Sequence, residues 1–322
     1  MPEKRQFPRR VNVAFAFLVV LPFGLLGCGG SDVPAPEAGG DGSLELVSPL
    51  GRELHSQTET QGRILAADAA LAEDPDNVDL LIAAGIARAG VWQYNDAIAM
   101  YDRAAQLAPE NPWVFRHRGH RYISTRRFVD AVADLERAAA LDSLSFDILY
   151  HLGLARYLAG DFDGAAREYR RCFRHATTPA LLELEASGEL GEGYRSCMSL
   201  AVDDDTRVAI TDWLYRAQRR SGHHEEAAQL LESVTEGMDV SDNLSYYQAL
   251  LFYKGLRTEE EILDRSLLSG NQLQTMGYGV GNWHLVEGDT ARAHALFREI
   301  VEGEEWPAFG FIAAETELAR AR

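Results

Sequence analysis

Small and large side chains recur every 34 residues through the middle of this 322-residue chain, and that period constrains the fold more than any other feature. Gly85, Gly119 and Gly153 lie on it, as do Ala97, Ala131 and Ala165. So do Tyr94, Phe128 and Phe162; Tyr101, Leu135 and Tyr169; Ala104, Ala138 and Cys172; and Pro75 with Pro109. A unit of this length is a pair of antiparallel helices. The small residues let the two helices approach, the large ones fill the space between them, and proline ends the second helix. One such pair cannot bury its own apolar face, so neighbouring pairs must stack into a continuous array.

The spacing and the residue types at it resemble the tetratricopeptide repeat, with a small residue in helix A, alanine and an aromatic in helix B, and a closing proline. Three units are in register, 78–111, 112–145 and 146–179, with Trp92 in place of the usual turn glycine and Ser143 in place of the closing proline. Weaker units extend the array. Residues 61–77 read as a helix B carrying Ala70, Leu71 and Pro75 on the lattice, and 207–302 as degenerate repeats marked by Leu214, Gly222, Ala227, Leu231, Gly281, Ala293 and Phe297. Residues 306–320 read as a capping helix entered at Pro307, and 180–206 as an insertion. No strand-length alternation is visible. The expectation is an all-α, right-handed α-solenoid of tetratricopeptide repeats over 51–322.

The first residues read as an address. Lys4, Arg5, Arg9 and Arg10 precede an apolar run over 11–26, short of the roughly 20 residues a spanning helix needs. The run ends in Leu25-Leu26-Gly27-Cys28, which resembles the lipobox of bacterial lipoproteins. The resemblance implies cleavage after residue 27 and acylation of Cys28. Residue 29 is Gly rather than a retaining Asp, which favours the outer membrane, facing the periplasm. Residues 28–50 then form the lipidated cysteine and a flexible linker, rich in Gly, Pro, Ser and Asp up to residue 43.

Composition narrows the function. The net charge is −18, and cleavage after residue 27 would leave −21, so a general nucleic-acid binder is not expected. Three cysteines do not make a disulfide scaffold. HExxH, Walker and GxSxG motifs are absent, and adjacent His223 and His224 point in different directions, so no catalytic residue, metal site or cofactor is expected. Gly277, Gly279 and Gly281 follow no strand and read as close helix packing. Cys172 and Cys197 leave two readings open: a disulfide tying the insertion to the third repeat, or a free Cys172 packing as a small hydrophobe.

On the repeat's register, helix A lines a concave groove. Its candidates are Asp79, Ile82 and Ile86; Trp113, Arg116, His120 and Ile123; and Asp147, Tyr150, Leu154 and Tyr157. Ile82 and Ile86 stand where chaperone-binding repeats carry a carboxylate clamp. Residues 116–121 form a dense basic cluster with Arg126 and Arg127. Arg118 and Arg121 occupy positions that ordinarily face the helix pair's interior, so they need acceptors such as Asp130, Asp134 or Glu136. Either these arginines form an internal network, or they brace Arg116 and His120, one turn apart, which reach the groove and hold an anionic group.

The segments YHLGLARYLAGDF, FRHRGHRYISTRRF, DTRVAITDWLYRAQRRSG and GYGVGNWHLVEGDTARA…WPAFGFIAAE resemble an uncharacterised family of bacterial tetratricopeptide proteins over about 50–320. That resemblance implies no activity. In layout the chain is similar to outer-membrane lipoprotein adaptors. This implies a non-enzymatic, lipid-anchored scaffold that binds an envelope protein or peptide. The alternative is a binder of a small anionic ligand or cell-wall fragment. An enzyme is the least supported reading.

Overall fold

The computed structural model describes residues 42–190, 194–266 and 268–322. The expected signal segment, Cys28 and the linker up to residue 41 lie outside the described residues.

Helix pairs follow the 34-residue period: α2 (Val78–Ala89) with α3 (Tyr94–Leu107), α4 (Pro112–Ser124) with α5 (Phe128–Leu141), and α6 (Phe146–Ala159) with α7 (Phe162–Ala176). They are preceded by α1 (Arg63–Glu73). Each helix A starts on a side-chain cap at the same lattice position. Asn77 accepts from the Asp79 and Leu80 amides, Asn111 from the Trp113 amide, and Ser145 from the Ile148 amide. Within each pair the lattice glycine faces the large residue sixteen positions on. A Cβ on Gly85 would come 2.4 Å from Tyr101, on Gly119 2.7 Å from Leu135, and on Gly153 2.4 Å from Tyr169. Gly281 and Phe297 repeat the relation at 2.5 Å. Gly277 and Gly281 face Ile300 and Phe297 on one side of their helix and Gly279 faces Tyr253, Arg216 and Ala249 on the other, so the helix is buried on both sides and a side chain at any of the three would hold its neighbours apart. Ion pairs tie each helix B to the next helix A: Asp68–Arg88 at 2.8 Å, Asp102–Arg118 at 2.7 Å, and Glu136 with Arg156.

The second half continues with α8 (Pro179–Ala186), a 3-10 turn (Cys197–Ala201), α9 (Asp204–Arg220), α10 (His224–Glu232), α11 (Leu244–Tyr253), α12 (Glu259–Ile262), α13 (Gly270–Glu287), α14 (Thr290–Glu302) and α15 (Phe309–Arg320). The result is an all-α tetratricopeptide solenoid, with 68% of the described residues helical. The Cys172–Cys197 disulfide is formed, with Cα atoms 5.0 Å apart, and it resolves the two readings of those thiols. Beside it, Ser196 bridges Ser145 in an antiparallel contact, and Tyr194 donates its hydroxyl to Asp142. The end of the insertion is thereby fastened to the start of the third repeat.

Two features depart from the sequence reading. A two-stranded antiparallel hairpin, β1 (Leu44–Val47) and β2 (Glu53–His55), stands across the end of the expected linker and the start of the expected all-α solenoid, where no strand was expected. Its strands are four and three residues long, too short for alternation to register in sequence. Docking holds it. Leu54 is buried in the main core, Asn95 donates to Glu45 through its amide and side chain, and Arg52 donates to the Val301 and Gly303 carbonyls.

The second departure is α15, which does more than cap the last repeat. The segment 306–320 runs back along the A–B turns of the three regular repeats. Those turns need a left-handed residue at 92, 126 and 160, and two of the three are not glycine: Trp92 (φ 64°), Arg126 (φ 62°) and Gly160 (φ 91°). A bulky residue there costs on the order of 1 kcal/mol, and contacts with the C-terminal segment offset it. Trp92 packs edge-on against Trp306 at 5.7 Å. Arg126 pairs with Glu315 at 2.8 Å and donates to the Trp306 carbonyl. Trp306 Nε1 in turn donates to the His55 carbonyl, so hairpin, first repeat and C-terminal segment close on one another.

Candidate binding groove

Helix A of the second and third repeats lines the concave face as the register demands, but the protein's own second half fills much of it. Tyr157 sits edge-on to Trp213 and Tyr278; its hydroxyl donates to Asn282 and accepts from Tyr278. Leu154 and Ile123 are fully buried. The Tyr150 hydroxyl meets that of Tyr246 at 3.2 Å, and its ring packs against Phe146. The expected groove residues Tyr150, Leu154 and Tyr157 are thus core, because α9, α11, α13 and α15 curl back over them. Ile86 stays exposed beyond the covered stretch.

Around His120 the covering stops. Its ring lies 4.4 Å from that of His151 and 5.4 Å from Phe309. With Asp242, Asn243, Tyr246, Asn271 and Phe309 it lines an open depression of ≈350 Å³. His117 stacks on Tyr101 at 5.7 Å and stands 6.4 Å from Trp113. Burial next to Arg116 and Arg121 pushes the His117 imidazole down to about 3. The same causes, burial first, hold His120 and His151 well below their ordinary value. All three rings are neutral at neutral pH. His151 donates its Nδ1 proton to the Asp147 carbonyl.

The arginines divide into two kinds. Arg118 is gripped by Asp134 through Nε and Nη2 at 2.6 and 2.8 Å and by Asp102 at 2.7 Å, and these hydrogen bonds raise its pKa. It belongs to the internal network, with Asp134 the acceptor. Asp130 and Glu136 serve Arg127 and Arg156 instead. Arg126 is likewise structural, through Glu315. Arg116 and Arg121 are less satisfied. Arg116 reaches one carboxylate, Asp147, at 3.6 Å, and shares it with Arg195; its Nη1 meets His117 Nδ1 at 3.3 Å, and its Nε is buried with no partner. Arg121 lies 4.9 Å over the Tyr94 ring, and among the described residues no carboxylate pairs with it. Burial lowers the pKa of both guanidiniums, with Asp147 opposing the shift only at Arg116. Two desolvated cations on one helix, only one of them with a carboxylate and that one divided with Arg195, suit an incoming anionic group.

The periodicity placed Arg116, His120 and Arg121 in this neighbourhood. It missed Phe309 and Tyr246, which line the depression from elsewhere in the chain. Among the described residues no cluster of three metal-ligating side chains forms, and no helix is long and apolar enough to cross a membrane.

The repeat geometry makes this a helical-repeat protein of tetratricopeptide type. No family model matches the chain. It is similar to a heat-shock protein cognate co-chaperone, sgt12, of Aspergillus fumigatus, 31% identical over 93 residues. That match covers 29% of this chain and 27% of the co-chaperone, so the chain spans about a quarter of that relative. Among solved structures it is similar to a tetratricopeptide repeat protein from Parabacteroides merdae (14% identity, 79% of this chain and 91% of that one, TM-score 0.45). YrrB, described as a TPR protein with an unusual peptide-binding site, overlays at TM-score 0.41 (17% identity, 71% and 97% covered). MamA overlays at 0.39 (19% identity, 60% and 86% covered). At these scores the overlays carry no argument about partners.

Proposed function

We propose that this protein is a non-enzymatic scaffold, anchored through acylated Cys28 in a bacterial envelope membrane, that holds an acidic segment of a protein partner at the open end of its concave face. One observation carries the reading: Arg116 and Arg121 are desolvated on the helix that carries His120 into the depression, and between them they hold one carboxylate contact, from Arg116 to Asp147, which Arg195 also binds. The filled groove argues against a long peptide threaded along helix A, and it confines the partner to the His120 end. A small anionic ligand or cell-wall fragment is the second reading, favoured by the same cations.

The experiment is a pull-down from crosslinked envelopes with the full chain and its Arg116→Ala variant. The expected result is one stoichiometric protein, lost in the variant, whose melting temperature stays within about 2 °C of the parent. Equal capture by both proteins refutes the site. A melting shift with small anions and no captured protein transfers the site to the second reading. Radiolabelled palmitate entering the parent but not Cys28→Ala tests the anchor separately.

A further inference from the structure

Helix α1 is a helix B without its helix A. In the three complete pairs, the lattice positions of helix B that face helix A are fully buried: Ala97, Ala131 and Ala165, and again Ala104, Ala138 and Cys172. Their counterparts in α1 are Arg63 and Ala70, and both are exposed. The position that carries Tyr101, Leu135 or Tyr169 elsewhere is Ala67. The residues just before α1 that could have supplied a helix A form the hairpin instead, docked on the first repeat and on the C-terminal end of α14. The opposite side of α1 is satisfied: Leu71 joins the Leu81–Val114 cluster and Asp68 pairs with Arg88. What remains uncovered is the stripe Arg63–Ala66–Ala70–Glu73, flanked by Leu65, which is 75% exposed.

That stripe is self-complementary. Arg63 and Glu73 stand at its two ends on one face, and neither is ion-paired among the described residues. An ordinary helix A would bring no carboxylate to Arg63, where the other repeats carry alanine. A second α1 laid antiparallel does. A twofold axis through residue 68 sets Arg63 against Glu73 of the second copy, twice. It sets Ala66 against Ala70 of the second copy, also twice. Alanine on both sides allows the helices to approach to about 8 Å, and an isologous contact of this kind closes after two subunits. We propose that the exposed face of α1 is a homodimer interface, formed by antiparallel packing of this helix on its counterpart in a second copy.

A contact of one eleven-residue helix per subunit is small, so the dimer is weak, on the order of 10–100 µM. Sedimentation equilibrium of the full chain up to about 200 µM is expected to show a monomer–dimer equilibrium. Arg63→Glu and Glu73→Arg each weaken it at least tenfold, because each sets like charges together at both ends. The double variant restores it to within about threefold. Ala66→Glu abolishes the dimer without loss of helicity by circular dichroism. A chain that stays monomeric throughout overturns the proposal, and so does a dimer indifferent to Ala66→Glu or to the charge reversals. Monomers whose α1 amides are protected from hydrogen exchange would overturn it in favour of a segment of the same chain lying on α1.

Discussion

Three buried, neutral histidines beside two arginines make a definite forecast about acid stability. His117, His120 and His151 all have pKa values lowered from 6.5, the first to about 3, because the folded site excludes water and already holds Arg116 and Arg121. A base whose folded pKa is lowered binds fewer protons folded than unfolded. Its stabilising effect is therefore complete above about pH 6.5 and drains away as the pH falls below that value. Between about pH 6 and 5 each unfolded imidazole is mostly protonated while the folded one stays neutral. Each histidine then removes about 1 kcal/mol, and the three together about 3 kcal/mol. Asp212, buried against Arg216 and pushed up to about 6, acts in the opposite sense, so the informative quantity is a difference between variants. Urea unfolding of the parent and of His151→Gln, whose amide can still donate to the Asp147 carbonyl, should be followed from pH 7 to pH 5. The variant is expected to lose about 1 kcal/mol less than the parent between pH 6 and 5. Identical slopes would mean that His151 titrates normally in the folded protein, and the desolvated cationic site would fall with it.

The other predictions concern packing. Arg118→Ala strips Asp134 of its bidentate partner and should cost about 3 kcal/mol by chemical denaturation, whereas a loss below about 0.5 kcal/mol would deny the internal network. Gly153→Ala gains about 1 kcal/mol in helix propensity, yet its Cβ would stand 2.4 Å from the Tyr169 ring, so a net loss of about 1 kcal/mol is expected. A more stable variant would show that the helices are not in tight contact there. Trp306→Ala should remove about 3–5 kcal/mol and speed amide exchange in β1 and β2, since Trp306 joins the hairpin to Trp92 and Tyr94. Exchange confined to α15 would refute closure of the two ends.

The repeats were legible because their contacts occur at fixed sequence offsets. A helix pair needs a small residue and a large one sixteen positions apart, and the next pair needs both again after 34, so Gly85, Gly119, Gly153 and Gly281 announced their partners in advance. The caps at Asn77, Asn111 and Ser145 are local in the same way. The candidate site was half legible. Arg116, His120 and Arg121 stood out as a basic run in an acidic chain, but which arginines are satisfied depends on carboxylates from other helices. Asp134 reaches Arg118, and among the described residues no carboxylate reaches Arg121.

Sequence alone determined the helix pairs, their register and the small-to-large contacts inside them, since each is set by residues within one or two turns or one repeat. Tertiary structure alone decided that the groove is filled, that residues 44–55 form a docked hairpin, and that α1 is left with one face bare. Those outcomes rest on meetings such as His55 with Trp306, 251 residues apart, and Arg126 with Glu315, 189 apart. No repeat offset links such residues. They meet because the accumulated rotation of the stacked helices brings the last one back across the turns of the first.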